Sequence, residues 1–196
     1  MKRILLLILF SALMTNISYS QSALNTGEFT WFGIDYTQCY YLTPIDFPSI
    51  SDLEAKIKAW NDLVLDEQEK YIAKALAGKN VDFAIEAVTK RNETINVKSM
   101  LTEDETKAFH LETNQIQQII ENYNIEESLN GTGLVLIAES YHRLDERGNY
   151  YIAFFDIATK KVFVTEHMSG KAKGIGLRNY WAATYYNVLK SIGKKY

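Results

Sequence analysis

One predicted strand constrains the fold more than any other segment of the chain. Residues 134–138 form a continuous apolar run, which is the pattern of a central strand covered on both faces. Residues 150–155 and 162–165 have strand composition, and residues 156–160 form the turn between them. The last third of the chain is therefore predicted to be a three-stranded meander.

Helical and strand patterns alternate before the meander, and one helix follows it. Strands are predicted near residues 29–36 and 81–85, and helices are predicted from residue 51, from residue 102 and from residue 179. The order β-α-β-α-β-β-β-α predicts an α+β fold with a mixed sheet of about five strands and helices packed mainly on one face. One domain, residues 21–196, is expected to contain all of these elements.

The first twenty residues have the pattern of a secretory signal peptide. Lys2 and Arg3 precede an apolar run at residues 4–14, and a Ser-Tyr-Ser site at residues 18–20 precedes Gln21. The apolar run is too short to span a membrane. The protein is therefore expected to be exported, either to the periplasm or out of the cell, and no later segment is predicted to be transmembrane.

Composition limits the partners and the redox chemistry. Removal of Lys2 and Arg3 with the signal peptide would leave 19 of the 21 basic residues against 24 acidic ones. Proteins that bind nucleic acid usually have a strongly basic surface, so this acidic composition argues against such a function. Cys39 is the only cysteine, so no internal disulfide is possible. It lies too far from the cleavage site to carry a lipid anchor. It is either a reactive thiol or a small buried apolar residue.

A glycine-bearing loop at residues 170–179 is the strongest candidate binding site. Its glycines free backbone amides, its lysines and arginine supply positive charge, and a helix begins beside it, so it suits a phosphate, sulfate or carboxylate. The expected contact residues are Lys171, Lys173, Gly174, Gly176, Arg178 and Asn179. The alternative is a bent strand end in which Asn179 caps the helix and Arg178 pairs with an acidic neighbour.

A second candidate consists of Glu139, His142 and His167, because a carboxylate beside imidazoles suits acid–base catalysis or metal binding. Strict alternation along the strand places Glu139 and His142 on opposite faces, which argues against a shared site. The alternative is a strand-end glutamate paired with a basic residue, with exposed histidines. No metal-ligand spacing is present, and neither a metal nor a cofactor is expected.

Two aspartates end predicted strands. Asp35 follows the first strand and is either a catalytic carboxylate or a structural one. Asp156 begins the turn of the meander, where its side chain is expected to accept N–H groups of Ala158 or Thr159.

Both ends of the mature chain resemble a pattern of secreted proteins from Bacteroidota-type bacteria. The run Gly-Ile-Gly-Leu-Arg-Asn-Tyr-Trp at residues 174–181 is the core of this pattern, residues 150–162 belong to it, and the run Trp-Phe-Gly-Ile-Asp at residues 31–35 is similar too. The resemblance implies membership of an uncharacterised secreted family and carries no activity with it.

The order of elements, with an Asp-x-x-Thr turn at residues 156–159, also resembles the envelope accessory domains of curli-assembly proteins and penicillin-binding-protein activators. This second resemblance is one of topology only, and fold alone does not assign function. The chain lacks the lipidated cysteine of those families, so the membrane tether that they imply is not expected here.

The leading hypothesis is a non-enzymatic envelope protein that binds an envelope protein or an anionic ligand through the loop at residues 170–179. It follows from the charged loop and from the lack of any catalytic signature: no serine lies in a Gly-x-Ser-x-Gly motif. The alternative is an envelope hydrolase that uses Asp35, Glu139 or a histidine. A third possibility is a secreted domain with a purely structural role.

Overall fold

The computed structural model describes residues 24, 27–42, 49–76 and 79–196, so the predicted signal peptide at residues 1–20 lies outside the described residues. The strands are β1 (Glu28–Asp35), β2 (Tyr40–Leu42), β3 (Asn80–Phe83), β4 (Leu101–Thr102), β5 (Thr132–His142), β6 (Arg147–Asp156) and β7 (Val162–Lys171). The α-helices are α1 (Ile50–Asp66), α2 (Glu86–Asn92), α3 (Thr113–Glu121) and α4 (Leu177–Lys195). A π-helix covers Glu69–Lys74, and 3₁₀ helices cover Val97–Met100 and Glu105–Ala108. Among the described residues, no helix has the length and apolar character needed to cross a membrane.

All seven described strands form one sheet built around β5. Parallel β1 pairs with the first half of β5, parallel β2 pairs with its second half, and antiparallel β6 pairs along its other edge. Parallel β3 lies beside β1, parallel β4 beside β2, and antiparallel β7 beside β6. The predicted α+β class is confirmed. The sheet exceeds the expected five strands because β2 and β4 are too short to show a periodic pattern.

The strand predicted to be central is buried on both faces. Leu134, Leu136 and Ala138 belong to a cluster that includes the apolar sides of α1 and α4, whereas Val135 and Ile137 belong to a cluster with α2 and α3. The two long helices thus share one face, as expected, and two short helices cover the other. The apolar run of β5 follows from this burial, because neither face contacts water.

Two asparagines complete the hydrogen bonding of β1 where its strand neighbour ends. β3 pairs only with the segment Glu28–Trp31, which leaves later backbone groups on that edge without a strand partner. The Ile34 N–H donates to Asn61 Oδ1 at 2.7 Å, and the Ile34 carbonyl accepts from Asn61 Nδ2 at 3.0 Å and from Asn92 Nδ2 at 2.9 Å. The Tyr36 N–H donates to Asn92 Oδ1 at 2.8 Å. The amides attach α1 and α2 to the end of β1.

Helix α4 lies close to the sheet because β7 carries a glycine beneath it. A Cβ atom on Gly170 would lie 1.9 Å from the backbone oxygen of Thr184. The backbone of α4 cannot move aside as a flexible side chain can. Any residue other than glycine at position 170 would therefore require α4 to lie farther from the sheet.

We expect Gly170→Ala to lower the free energy of unfolding by about 3 kcal/mol or more, because the new methyl group forces α4 away from β7. Gly131→Ala is the control: no atom lies within 4 Å of its added Cβ, but its φ of +92° is left-handed, which costs about 1–2 kcal/mol. Urea denaturation followed by the fluorescence of the buried tryptophans measures both. A smaller loss for Gly170→Ala than for Gly131→Ala would contradict the close approach of α4.

Candidate functional site

The loop predicted to bind ligand is an exposed connection between β7 and α4. The six expected contact residues are exposed to solvent: Lys171, Lys173, Gly174, Gly176, Arg178 and Asn179. The N-cap of α4 is Gly176, with a φ of +77° and no side-chain cap. The alternative in which Asn179 caps the helix is therefore wrong, and the first amides of α4 lack a side-chain partner at the cap.

The cations of this loop are weakly paired. Lys171 Nζ lies 3.9 Å from Glu146 Oε2, and the two side chains are 71% and 48% exposed, so this pair contributes little to stability. Arg178 Nε donates to Asn179 Oδ1 at 3.4 Å. Within the described part of the chain, neither Lys173 nor Arg178 forms an ion pair. Their charges remain available to a partner.

The β5–β6 turn lies beside this loop and adds to its charge. The Ala172 N–H donates to the Glu146 carbonyl at 2.7 Å, and Arg143 Nη1 donates to the Tyr180 hydroxyl at 2.8 Å. Arg147 pairs with Lys171 in the β6–β7 register. We call residues 143–147 together with residues 171–179 the basic end.

Two aliphatic side chains of the basic end are exposed. Ile175 is 94% exposed in the β7–α4 loop, and Leu144 is 67% exposed in the β5–β6 turn. Single exposed apolar residues are common on protein surfaces. Two in adjoining loops, which together hold five basic and two acidic side chains, form a surface that offers both charge and apolar contact.

A separate carboxylate–imidazole pair joins Glu139 to His167. Glu139 is 1% exposed, and its Oε1 accepts the N–H groups of His110 at 2.8 Å and Leu111 at 2.7 Å. Its Oε2 lies 2.7 Å from Nε2 of His167, whose side chain is 30% exposed. A carboxylate only accepts, so Nε2 carries the proton and Nδ1 keeps its lone pair in the neutral ring.

The structure brings His167 to Glu139 but leaves His142 with other partners. His142 Nε2 lies 2.6 Å from Glu105 Oε2, and its Nδ1 accepts the N–H of Asp145 at 3.0 Å. No group of three or more His, Cys, Asp or Glu side chains among the described residues has an arrangement that holds a metal ion.

Strict alternation is wrong for His142 and not for Glu139, because β5 contains a bulge at Glu139. Ala138 pairs with Tyr150 and Ser140 pairs with Asn149, so Glu139 is an extra residue without a partner on β6. After the bulge Tyr141 joins the same cluster as Ala138. Glu139 and His142 therefore lie on the same face of the sheet, opposite to the arrangement predicted by alternation.

Asp35 is held by four hydrogen-bond donors and is fully buried. Oδ1 accepts from the N–H of Thr37 at 2.8 Å and from its hydroxyl at 2.6 Å. Oδ2 accepts from Tyr123 at 3.0 Å and from Arg91 Nε at 3.3 Å. Burial and the Asp35 charge raise the pKa of Tyr123 well above its usual value. Asp35 makes no hydrogen bond to Glu139, and these contacts are those of a structural carboxylate.

The remaining sequence predictions have structural answers. Asp156 accepts the Thr159 N–H at 2.8 Å, as predicted for the turn. Cys39 is 3% exposed, and burial, followed by the nearby Glu139 charge, raises the pKa of its thiol well above the usual value. These observations favour the buried apolar interpretation of Cys39 over the reactive thiol.

Sequence reasoning missed the half of the basic end contributed by the β5–β6 turn. Arg143, Leu144 and Arg147 lie between two predicted strands, so a basic turn was visible in the pattern. Its proximity to residues 171–179 was not visible, because it depends on the pairing of β6 with β7.

No family model, curated protein or solved structure matches this chain. The resemblances of its two ends and of its element order therefore stay predictions.

We expect Asp35→Ala to lower the free energy of unfolding by about 3–5 kcal/mol, because Tyr123 and Arg91 would both lose the buried carboxylate to which they donate. Asp104→Ala is a matched control, since Asp104 accepts the same two groups from Thr106 on the surface. Its loss should be about 1 kcal/mol, the usual effect of losing a helix cap. Equal losses in urea denaturation would contradict the structural role assigned to the Arg91 and Tyr123 contacts.

Proposed function

We propose that the protein is an exported, non-enzymatic envelope protein that binds an anionic partner through the basic end. Export, periplasmic or beyond the cell, is part of the proposal and is supported by the signal-peptide pattern at residues 1–20. The observation that carries the proposal is the concentration of cations in the two adjoining loops that expose Ile175 and Leu144.

The charge of the basic end opposes that of the whole chain. The protein has a formal net charge of −3. The basic end holds five cations and two carboxylates: Arg143, Arg147, Lys171, Lys173 and Arg178 against Asp145 and Glu146. Such local concentration attracts an anionic surface despite the acidic chain, and it steers association more than it adds affinity.

Backbone groups add to this attraction. The 19-residue helix α4 begins at Leu177, and its N-cap has no side-chain acceptor. Free amides and the helix dipole favour an anion there. Ile175 and Leu144 supply the apolar contact that purely electrostatic binding lacks.

We expect replacement of Lys171, Lys173 and Arg178 by alanine to abolish specific capture of a partner by crosslinking in intact cells. The control replaces Lys74, Lys98 and Lys190, which are exposed elsewhere, and changes the net charge equally. Because all six side chains are exposed, each change should alter stability by less than about 0.5 kcal/mol. Unfolding experiments on both proteins check this.

One partner captured by the wild type and the control but lost from the basic-end variant supports the proposal. Recovery of the same partner with the basic-end variant assigns binding to another surface. Absence of any specific partner from all three samples rejects partner binding through the basic end.

The Glu139–His167 pair favours a second candidate function, an envelope hydrolase. Glu139 is buried and fixed by two backbone amides, so it orients His167 with Nδ1 able to accept a proton from water. The rings of Phe109 and Tyr151 flank His167 at centroid distances of 5.6 and 5.0 Å. This candidate needs no nucleophilic side chain.

For the hydrolase candidate we expect His167→Gln to reduce turnover of an ester, glycan or peptide by about 10²–10⁴-fold, the usual contribution of a general base. His142→Gln is the control, because that imidazole also contacts a carboxylate but not Glu139. Lack of turnover by the wild-type protein across the three substrate classes, or equal losses in both variants, would reject this candidate.

A further inference from the structure

A cleft of about 360 Å³ opens between α1 and the end of α2. Asn61 and Asn92, which bind the backbone of Ile34, form part of its wall. The cleft therefore lies beside the carboxyl end of β1, which is flanked by parallel β3 and β5. In sheets of parallel strands this is where ligands commonly bind, and the volume falls in the range of small-molecule sites, about 300–1,000 Å³.

The apolar part of the wall suits a short aliphatic chain. It consists of Ile57, Ile95 and Val97. The amides of Asn61 and Asn92 are already bonded to β1, so other groups must recognise the polar part of a ligand.

Two carboxylates give the cleft an excess of negative charge. Glu54 and Glu93 line it, and their carboxylates form no ion pair within the described ranges of the chain. Lys58 also lines the cleft, but it is paired with Asp62, whose hydrogen bond raises the pKa of Lys58. The lining thus holds two carboxylates against one cation, and that cation is paired with Asp62. Glu93 nevertheless also lies near enough to Lys58 and Lys90 to raise their pKa.

The wall also contains a hydroxyl without a partner. Thr89 Oγ1 is buried and makes no hydrogen bond with any described residue. Because this oxygen has no contact with solvent, a ligand in the cleft reaches it only after rotation of the Thr89 side chain, and such a hydrogen bond would remove the cost of an unpaired buried polar group.

We propose that this cleft binds a small primary amine that carries a short aliphatic chain. The ammonium group lies between Glu54 and Glu93, and the chain contacts Ile57, Ile95 and Val97. A carboxylate of the same length is excluded by the two glutamates. The site is independent of the basic end, which attracts the opposite charge.

Titration of the full mature chain with hexylammonium, hexanoate and 1-hexanol, followed by methyl NMR, tests the proposal. We expect hexylammonium to shift the methyl signals of Ile57, Ile95 and Val97 in a saturable manner and to bind more tightly than 1-hexanol. Hexanoate should leave these signals unchanged. Exchange of Glu54 and Glu93 for glutamine should weaken hexylammonium binding about tenfold, since charge-assisted hydrogen bonds are lost.

Glu103→Gln with Glu127→Gln is the matched control, because both are exposed glutamates that do not line the cleft. It should leave hexylammonium affinity unchanged. Equal binding of hexanoate and hexylammonium, equal effects of the two double variants, or unshifted methyl signals at the solubility limit of hexylammonium would each overturn the proposal.

Discussion

The backbone at the end of β1 must be hydrogen-bonded without a neighbouring strand, and the local architecture depends on how this is achieved. Unpaired peptide groups inside a protein are costly. An asparagine amide offers one donor group and one acceptor, as a strand neighbour does. Asn61, which is 2% exposed, uses both on Ile34. The same contact requires glycine at position 33, where a Cβ would lie 2.7 Å from Asn61 Oδ1.

The attachment of α1 and α2 to β1 through asparagines also leaves room for the cleft at the end of the strand. The cleft remains between α1 and α2, because short polar side chains rather than large apolar ones join both helices to β1. Asp35, the residue after Ile34, accepts hydrogen bonds from Arg91 in α2 and from Tyr123, which follows α3. Asp35 thereby fixes the chain as it passes from β1 to β2, both of which pair with β5.

Most of the fold could be predicted from the sequence, because the residues that are buried in a strand or helix recur at regular spacings along the chain. The run at residues 134–138 identified the central strand, and the helical spacing of Trp181, Tyr185, Val188 and Ile192 identified α4, where all four are buried. The site was less predictable. One inserted residue, Glu139, reverses the side of every later residue in β5. Partners such as Asp35 and Tyr123 are separated by 88 positions, so no local spacing indicates their contact.

Net charge is a poor guide to the local surface charge of this protein, because the fold separates charges that the composition averages. The chain is acidic overall, yet the pairing of β6 with β7 brings Arg147 beside Lys171. The opposite occurs at the cleft, where Lys58 is paired with Asp62 and the two lining glutamates form no ion pair among the described residues. The charged side chains of both surfaces lie outside the buried core. Selection can therefore change their chemistry without disturbing the core that holds them in place.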